Sequence, residues 1–206
     1  MELQKFIGNN QDWESLLKQK PYNVDIHKNK SFRVMTYTFK SILKTIAKHC
    51  RGTIVDTRIN KIVCMPFDKF GHHNQDFSDK IDIKNCKIFH KYDGSIIKIW
   101  FNKIDNEWMI SSNNRVYLDD KLTKLFKQAC NFDLNLLDKD FTHMFELISP
   151  HNRIIIDYKQ TELIYLMSRH NDEYYEKMFD YEFVKELKQL IIILKLLMKY
   201  MIISNA

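Results

Sequence analysis

Lys91-Tyr92-Asp93-Gly94-Ser95 is the stretch on which the reading of this chain turns. Upstream, Asn85 to His90 contains Ile88 and Phe89; downstream, Ile96, Ile97, Ile99, Trp100 and Phe101 have the composition of a buried strand. The lysine is therefore expected at the end of one strand. Asp93-Gly94 should turn the chain into the next, since glycine takes positive φ freely and aspartate bonds its own backbone. A lysine amine is a poor nucleophile while protonated, with an ordinary pKa of about 10.4. It becomes a good one where burial or a neighbouring cation lowers that value, and a phosphate-binding cleft offers both. Lys-x-Asp-Gly is short, and ordinary hairpin turns contain it too, so the neighbouring segments decide.

Three segments surround it in order. Arg51-Gly52-Thr53-Ile54-Val55 and Met65-Pro66-Phe67-Asp68-Lys69-Phe70 come before; Phe145-Glu146-Leu147-Ile148-Ser149-Pro150-His151-Asn152-Arg153-Ile154-Ile155-Ile156-Asp157-Tyr158 comes after. Leu163-Ile164-Tyr165-Leu166 and Arg169 follow. Over residues 31–170 this series resembles the nucleotidyltransferase domain of the ATP-dependent RNA ligases typified by T-even bacteriophage RNA ligase 1. In that family an Arg-Gly step and a Pro-Phe-x-Lys-Phe segment precede the lysine motif, and a Phe-Glu-Leu-x-x-Pro-x-Asn-Arg-Ile-Val strand pair follows it. DNA ligases and capping enzymes share the lysine motif but usually lack that prelude.

The resemblance implies roles, residue by residue. Lys91 would attack the α-phosphate of ATP, expel pyrophosphate and carry AMP as a phosphoramidate. Glu146 would contact the adenosine ribose. Arg51 and Lys69 would handle phosphates, and Asp93 and Gly94 would complete the nucleotide-binding turn. The implied cofactors are ATP and Mg2+, with metal ligands unassigned. The implied partner is RNA with 5′-phosphate and 3′-hydroxyl ends. Phosphoryl transfer depends mostly on positioning and cationic stabilisation, which suits so basic a set. The implied fold is α+β: antiparallel strands with flanking helices, unrelated to ATP-grasp.

Departures from the family pattern are specific. Met65 stands where an arginine is usual, and Gly71-His72-His73-Asn74 follows Phe70. Ser111-Ser112-Asn113-Asn114-Arg115 matches a Thr/Ser-Arg-Gly element only loosely. The family's later Glu-Gly-x-Val and Lys-x-Lys motifs do not occur between Arg169 and Ala206. The expectation is a domain incomplete at its C-terminus. It would be either a ligase by descent, or an inactive remnant or half of a split ligase that binds nucleotide or RNA, or docks on a second chain.

Composition agrees with a folded body. The chain has 206 residues, 45% hydrophobic and 13% aromatic, with only four glycines and three prolines. That is enough chain for a sizeable core and too few breakers for a flexible linker. Met1 to Trp13 lacks the layout of a signal peptide, and Cys50, Cys64, Cys86 and Cys130 are scattered, so reduced thiols in the cytoplasm are expected. A net charge of +6 favours a polyanionic partner. Lys28, Lys30, Arg33, Tyr37, Phe39, Lys40, Lys44, Lys48 and Arg51 interleave cations with stacking surfaces suited to a single-stranded or structured nucleic acid. Cys86-x3-His90 with His72-His73 is half a zinc pattern without a second pair.

Periodicity predicts a strand over 31–39 with slippage near Met35, and hairpins turning at Arg58-Ile59-Asn60 and Ile104-Asp105-Asn106. Residues 41–50 read as helix or strand. A helix carries Leu122, Leu125, Phe126 and Ala129 after Asp119-Asp120, followed by strands over 142–148, 153–158 and 162–167. The ligase-like domain is assigned to residues 1–175, and residues 176–206 to an apolar C-terminal helix. Leu190 to Ile203 is dense in Ile, Leu and Met but shorter than a membrane span, so no membrane partner is expected. It reads as a buried helix, a docking face, or a frameshift product.

Overall fold

The computed structural model describes residues 1–71, 75, 78, 80, 89–183 and 185–186. Two helices open the chain: α1 (Glu2–Asn9) and α2 (Trp13–Lys18). Then come β1 (Val24–Asn29), β2 (Phe32–Tyr37), β3 (Arg51–Asp56) and β4 (Lys61–Cys64), an antiparallel sheet in that order. The second sheet holds β5 (Ser95–Asn102), β6 (Glu107–Ser112), β7 (Phe141–Ile148), β8 (Glu162–His170), β9 (Glu176–Lys177) and β10 (Lys185–Glu186). Its order is β10-β8-β7-β5-β6, with β9 paired to β8. Helix α3 (Asp120–Ala129) links β6 to β7, its N-terminus capped by the Asp119 carboxylate accepting from the Leu122 amide at 2.9 Å. This is the expected α+β arrangement of mainly antiparallel strands with flanking helices.

The turns follow local chemistry. Both predicted hairpin turns end on an asparagine at positive φ, Asn60 at 53° and Asn106 at 53°, the left-handed region that asparagine tolerates best after glycine. The expected slippage near Met35 is a register shift between Met35 and Thr36 where β2 meets β3.

Side-chain alternation sorts the core into layers. On β2 and β3, Met35 and Val55 face α1 and α2, packing with Leu3, Ile7, Trp13 and Leu17. Phe32, Val34 and Ile54 face the second sheet and meet Trp100 of β5 and Met109 of β6. Ile97 and Ile99 on the opposite face of β5 pack with Phe145, Leu147, Leu125 and Phe126 beneath α3. Between the sheets, the Met65 amide donates to Thr142 Oγ1 at 2.9 Å, and the two hairpin tips are clamped by Arg58, whose Nη1 and Nη2 reach Asp105 at 2.8 and 2.7 Å.

Two expectations are corrected. Residues 153–158 form no strand: the segment follows a 3₁₀ turn (Pro150–Asn152), and its Ile155 and Ile156 amides are taken by a side chain instead of a ladder. Residues 41–50 contain only a 3₁₀ turn at Ile46–His49. Past the assigned boundary at 175/176, β9 and β10 pair with β8, and Phe179, Tyr181 and Phe183 pack on the second sheet's core. Within the expected C-terminal helix, Glu176–Lys177 and Lys185–Glu186 are strands; residues 184 and 187–206 lie outside the described residues, as do His72, His73 and Cys86. Among the described residues no helix is long and apolar enough to cross a membrane.

The N-terminal helices were not anticipated, yet each shows a spacing of four, Leu3/Ile7 and Trp13/Leu17, all buried. Leu17→Ala should cost about 2–5 kcal/mol, the range for truncating a fully buried leucine. Urea unfolding at equilibrium measures it; an unchanged midpoint would show that α2 does not belong to the core.

Candidate active site

The ends of both sheets meet around one cavity of about 770 Å³. Arg51 enters from the start of β3, Lys91 to Ile96 from the approach to β5, Ser112 to Arg115 from the end of β6, and Glu146 from β7. Of the six residues singled out in the sequence, Arg51, Lys91, Asp93, Gly94 and Glu146 line this cavity. Lys69 does not: its amide donates to Lys48 O at 2.8 Å, and its ammonium lies between the rings of Tyr37 and Phe70. Lys91 itself is exposed rather than buried.

Gly94 is required for a reason other than the one the sequence suggested. It does not adopt positive φ. A Cβ there would collide with the Leu147 carbonyl, whose carbon would lie 2.9 Å away. This close approach brings the Gly94 amide to Glu146 Oε1 at 2.8 Å. Gly52 is the residue at positive φ, +90°, and its missing Cβ would meet Asn113 O at 2.5 Å. The fully buried Lys98 reaches across from β5 to donate to Gly52 O, and burial lowers its pKa. Arg51, next in the chain, is fixed beside that contact.

The Asp93 carboxylate faces a loop. Its Oδ2 accepts from the Ile155 amide at 2.6 Å and the Ile156 amide at 3.0 Å, and its own amide donates to Tyr158 Oη at 2.9 Å. Those backbone bonds, Ile156 first, hold its pKa below the usual carboxylate range. Asn152 Nδ2 adds a bond to Ser95 Oγ at 2.9 Å. The loop is thus stapled to both flanks of Gly94, and Ile154 lines the cavity.

Several lining residues were not singled out. Phe67, Phe70, Leu166, Met167 and Ile154 give the cavity an apolar wall that suits a planar base. Phe67 and Phe70 sit within the quoted Met65 to Phe70 segment, where only the lysine had been marked. The segment is anchored behind the cavity: Arg169 Nη1 donates to Pro66 O and Asp68 Oδ1, both at 2.9 Å, and His49 Nδ1 lies 2.9 Å from Asp68 Oδ1. Burial alone would raise the Asp68 pKa; His49 and Arg169 outweigh it and lower it.

Among the described residues no group of three or more His, Cys, Asp or Glu side chains could hold a metal ion. Asp93 Oδ2 accepts from two amides and Glu146 Oε1 from a third, which leaves the other oxygen of each carboxylate without a bond to those amides. His90 stacks edge-on with Tyr92, ring centroids 4.6 Å apart.

Burial raises the Glu146 pKa to about 7, against the opposing pull of the Gly94 amide, Lys91 and Arg51. The folded state therefore keeps a proton that the unfolded chain has released between pH 4.5 and about 7. Stability is expected to fall as pH rises through that window. Glu146→Gln keeps an oxygen for the Gly94 amide but cannot ionise. The variant should melt above wild type at pH 8 and close to it at pH 4.5. Parallel melting-temperature profiles would show that Glu146 ionises freely.

The profile of the RNA ligase family matches residues 49–195. A protein of Autographa californica nuclear polyhedrosis virus, named as a bifunctional polynucleotide kinase/RNA ligase, is 31% identical over 160 residues, 62% of this chain and 22% of that protein. A protein of Thermovibrio ammonificans named as an RNA ligase is 27% identical over 147 residues, covering 65% of this chain and 36% of its own length. This chain thus spans well under half the length of these relatives. Among solved structures, an archaeal ATP-dependent RNA ligase superposes on 91% of the chain and 52% of its own, with a TM-score of 0.60 at 9% identity, a likeness of fold. The profile match extends over most of the chain and includes Arg51, Lys69, Lys91, Asp93, Gly94 and Glu146: the chain belongs to the RNA ligase family.

Proposed function

We propose that this chain is the nucleotidyltransferase part of an ATP-dependent RNA ligase and that Lys91 is its nucleophile. The observation that carries the reading is an exposed Lys91 on the rim of a cavity that also holds Arg51, Gly94 and Glu146 and has an apolar wall of Phe67, Leu166 and Met167. The adenine lies on that wall, Glu146 meets the ribose, and Arg51 and Arg115 face the phosphates. The Lys91 amine, once deprotonated, forms a nitrogen–phosphorus bond to the α-phosphate while the bond to the β-phosphate oxygen breaks and pyrophosphate leaves. An RNA 5′-phosphate oxygen then takes AMP from Lys91, and a 3′-hydroxyl attacks that activated phosphate and releases AMP. Asp93 and Gly94 act as positioning residues, and Lys69 acts from outside the cavity.

Magnesium bound with ATP would neutralise charge that builds on the phosphates as pyrophosphate leaves. The RNA partner carries 5′-phosphate and 3′-hydroxyl ends. A second chain is not part of the proposal, since every residue named comes from this one. A cytoplasmic setting accords with ATP use and with the free thiols of Cys50, Cys64 and Cys130. A second reading, nucleotide or RNA binding without transfer, draws on the lack of a metal-holding carboxylate set among the described residues.

Incubation with ATP labelled at the α-phosphate separates the two. Label retained through denaturing electrophoresis, and absent from Lys91→Ala, is the expected result. A folded wild type that takes no label would leave the binding reading alone.

A further inference from the structure

Arg51, Phe70, Lys69 and Tyr37 form a row of alternating cations and rings that begins at the cavity, and a further cation–ring pair, Lys40 with Phe39, follows two to three residues after Tyr37. The Arg51 guanidinium lies 4.8 Å from the Phe70 ring centroid. The Lys69 ammonium lies 5.8 Å from the same ring and 5.9 Å from that of Tyr37. Two residues on, the Lys40 ammonium lies 5.5 Å from the Phe39 ring. Backbone bonds fix the row: Tyr37 N to Cys50 O at 2.6 Å and Lys69 N to Lys48 O at 2.8 Å. The turn bearing Phe39 is braced by the Thr38 amide donating to Ser41 Oγ at 2.9 Å and by Asn23 Nδ2 donating to Lys40 O at 3.1 Å.

Its lysines differ from two other cations in the same stretch. Lys28 and Arg33 share the single Glu14 carboxylate, at 3.1 and 2.7 Å. Among the described residues Lys40 and Lys69 have no carboxylate partner. Phe39 is 93% exposed and Phe70 62% exposed, although burying a phenylalanine is favourable, so both rings stand ready for a partner with flat apolar faces. Bases provide such faces and phosphates meet the intervening cations.

We propose that this row is a bed for a single-stranded RNA end, with bases stacking on Phe39, Tyr37 and Phe70 and phosphates lying on Lys40, Lys69 and Arg51. It guides the strand toward the cavity at Arg51. The choice of RNA rests on the proposed function above; the surface itself selects an unpaired, base-bearing polyanion.

Anisotropy of a short, fluorescent, 5′-phosphorylated single-stranded RNA tests it, using the full chain. At 93% exposure, Phe39→Leu does not endanger folding. It should weaken binding about fivefold or more, and Phe39→Trp should restore it. Lys40→Gln should make the dependence of log K on log salt shallower by about 0.7. Phe39→Leu binding like wild type would overturn the bed, as would an equal loss for an RNA duplex, whose bases cannot stack on protein rings. If wild type binds no RNA yet Lys91 accepts AMP, the bed is wrong and the nucleotidyltransferase reading stands. Phe39-dependent binding by a chain that takes no label would overturn that reading and keep the bed.

Discussion

The contact on which the site depends is the press of Gly94 against β7. With no side chain at 94, the segment carrying Lys91 lies against the Leu147 carbonyl and gives its amide to Glu146. That hydrogen bond satisfies a carboxyl that burial would otherwise leave stranded between two sheets. The same contact starts β5 in register, with Ser95 opposite Leu147 and Ile96 opposite Glu146. One missing methyl thus sets the height of the Lys91 segment, the hydrogen bond to Glu146 and the register of a central strand pair.

Around that contact the molecule is a set of cross-braces between two sheets whose strands alone would not fix their relative position. Lys98 spans from β5 to the Gly52 carbonyl, Arg58 clasps Asp105 between hairpin tips, and Arg169 of β8 holds the Pro66 to Phe70 segment through Asp68. Each brace ends next to a cavity residue or at the tip of a strand leading to it. The polar groups buried by these braces are satisfied: no buried side-chain nitrogen or oxygen among the described residues lacks a partner. Such networks make the site rigid and leave the cavity mouth, with Lys91 and the stapled 152–158 loop, to meet substrate.

Legibility in the sequence tracked how local the deciding physics was. Hairpins ending at Asn60 and Asn106, the capped helix after Asp119, and strands β7 and β8 were readable because alternation, turn residues and caps act over a few positions. Ile154-Ile155-Ile156 misled because β-branched residues favour strands, whereas the Asp93 carboxylate captures the amides a ladder would have used. The short helices α1 and α2 carry one turn of apolar spacing each, Leu3, Phe6, Ile7 and Trp13, Leu16, Leu17, too few turns for the periodicity to stand out. At Gly94 the motif suggests a turn at positive φ, whereas the glycine is needed for close approach to Leu147, a tertiary fact. Lys69 was marked by resemblance and sits outside the cavity, while Phe67 and Phe70 beside it form its wall and rim. The braces through Lys98, Asp68 and Arg169 join residues up to 103 positions apart, and no local pattern announces them.

The central claim is that backbone approach at Gly94 presents Lys91 for nucleotidyl transfer. Its most direct test is peptide-mapping mass spectrometry of wild type and Gly94→Ala after incubation with ATP, with circular dichroism to show that both are folded. The account predicts the mass of AMP on the Lys91 peptide of wild type and its loss in a folded Gly94→Ala. An equal adduct in the variant, or an adduct on another lysine, would contradict it.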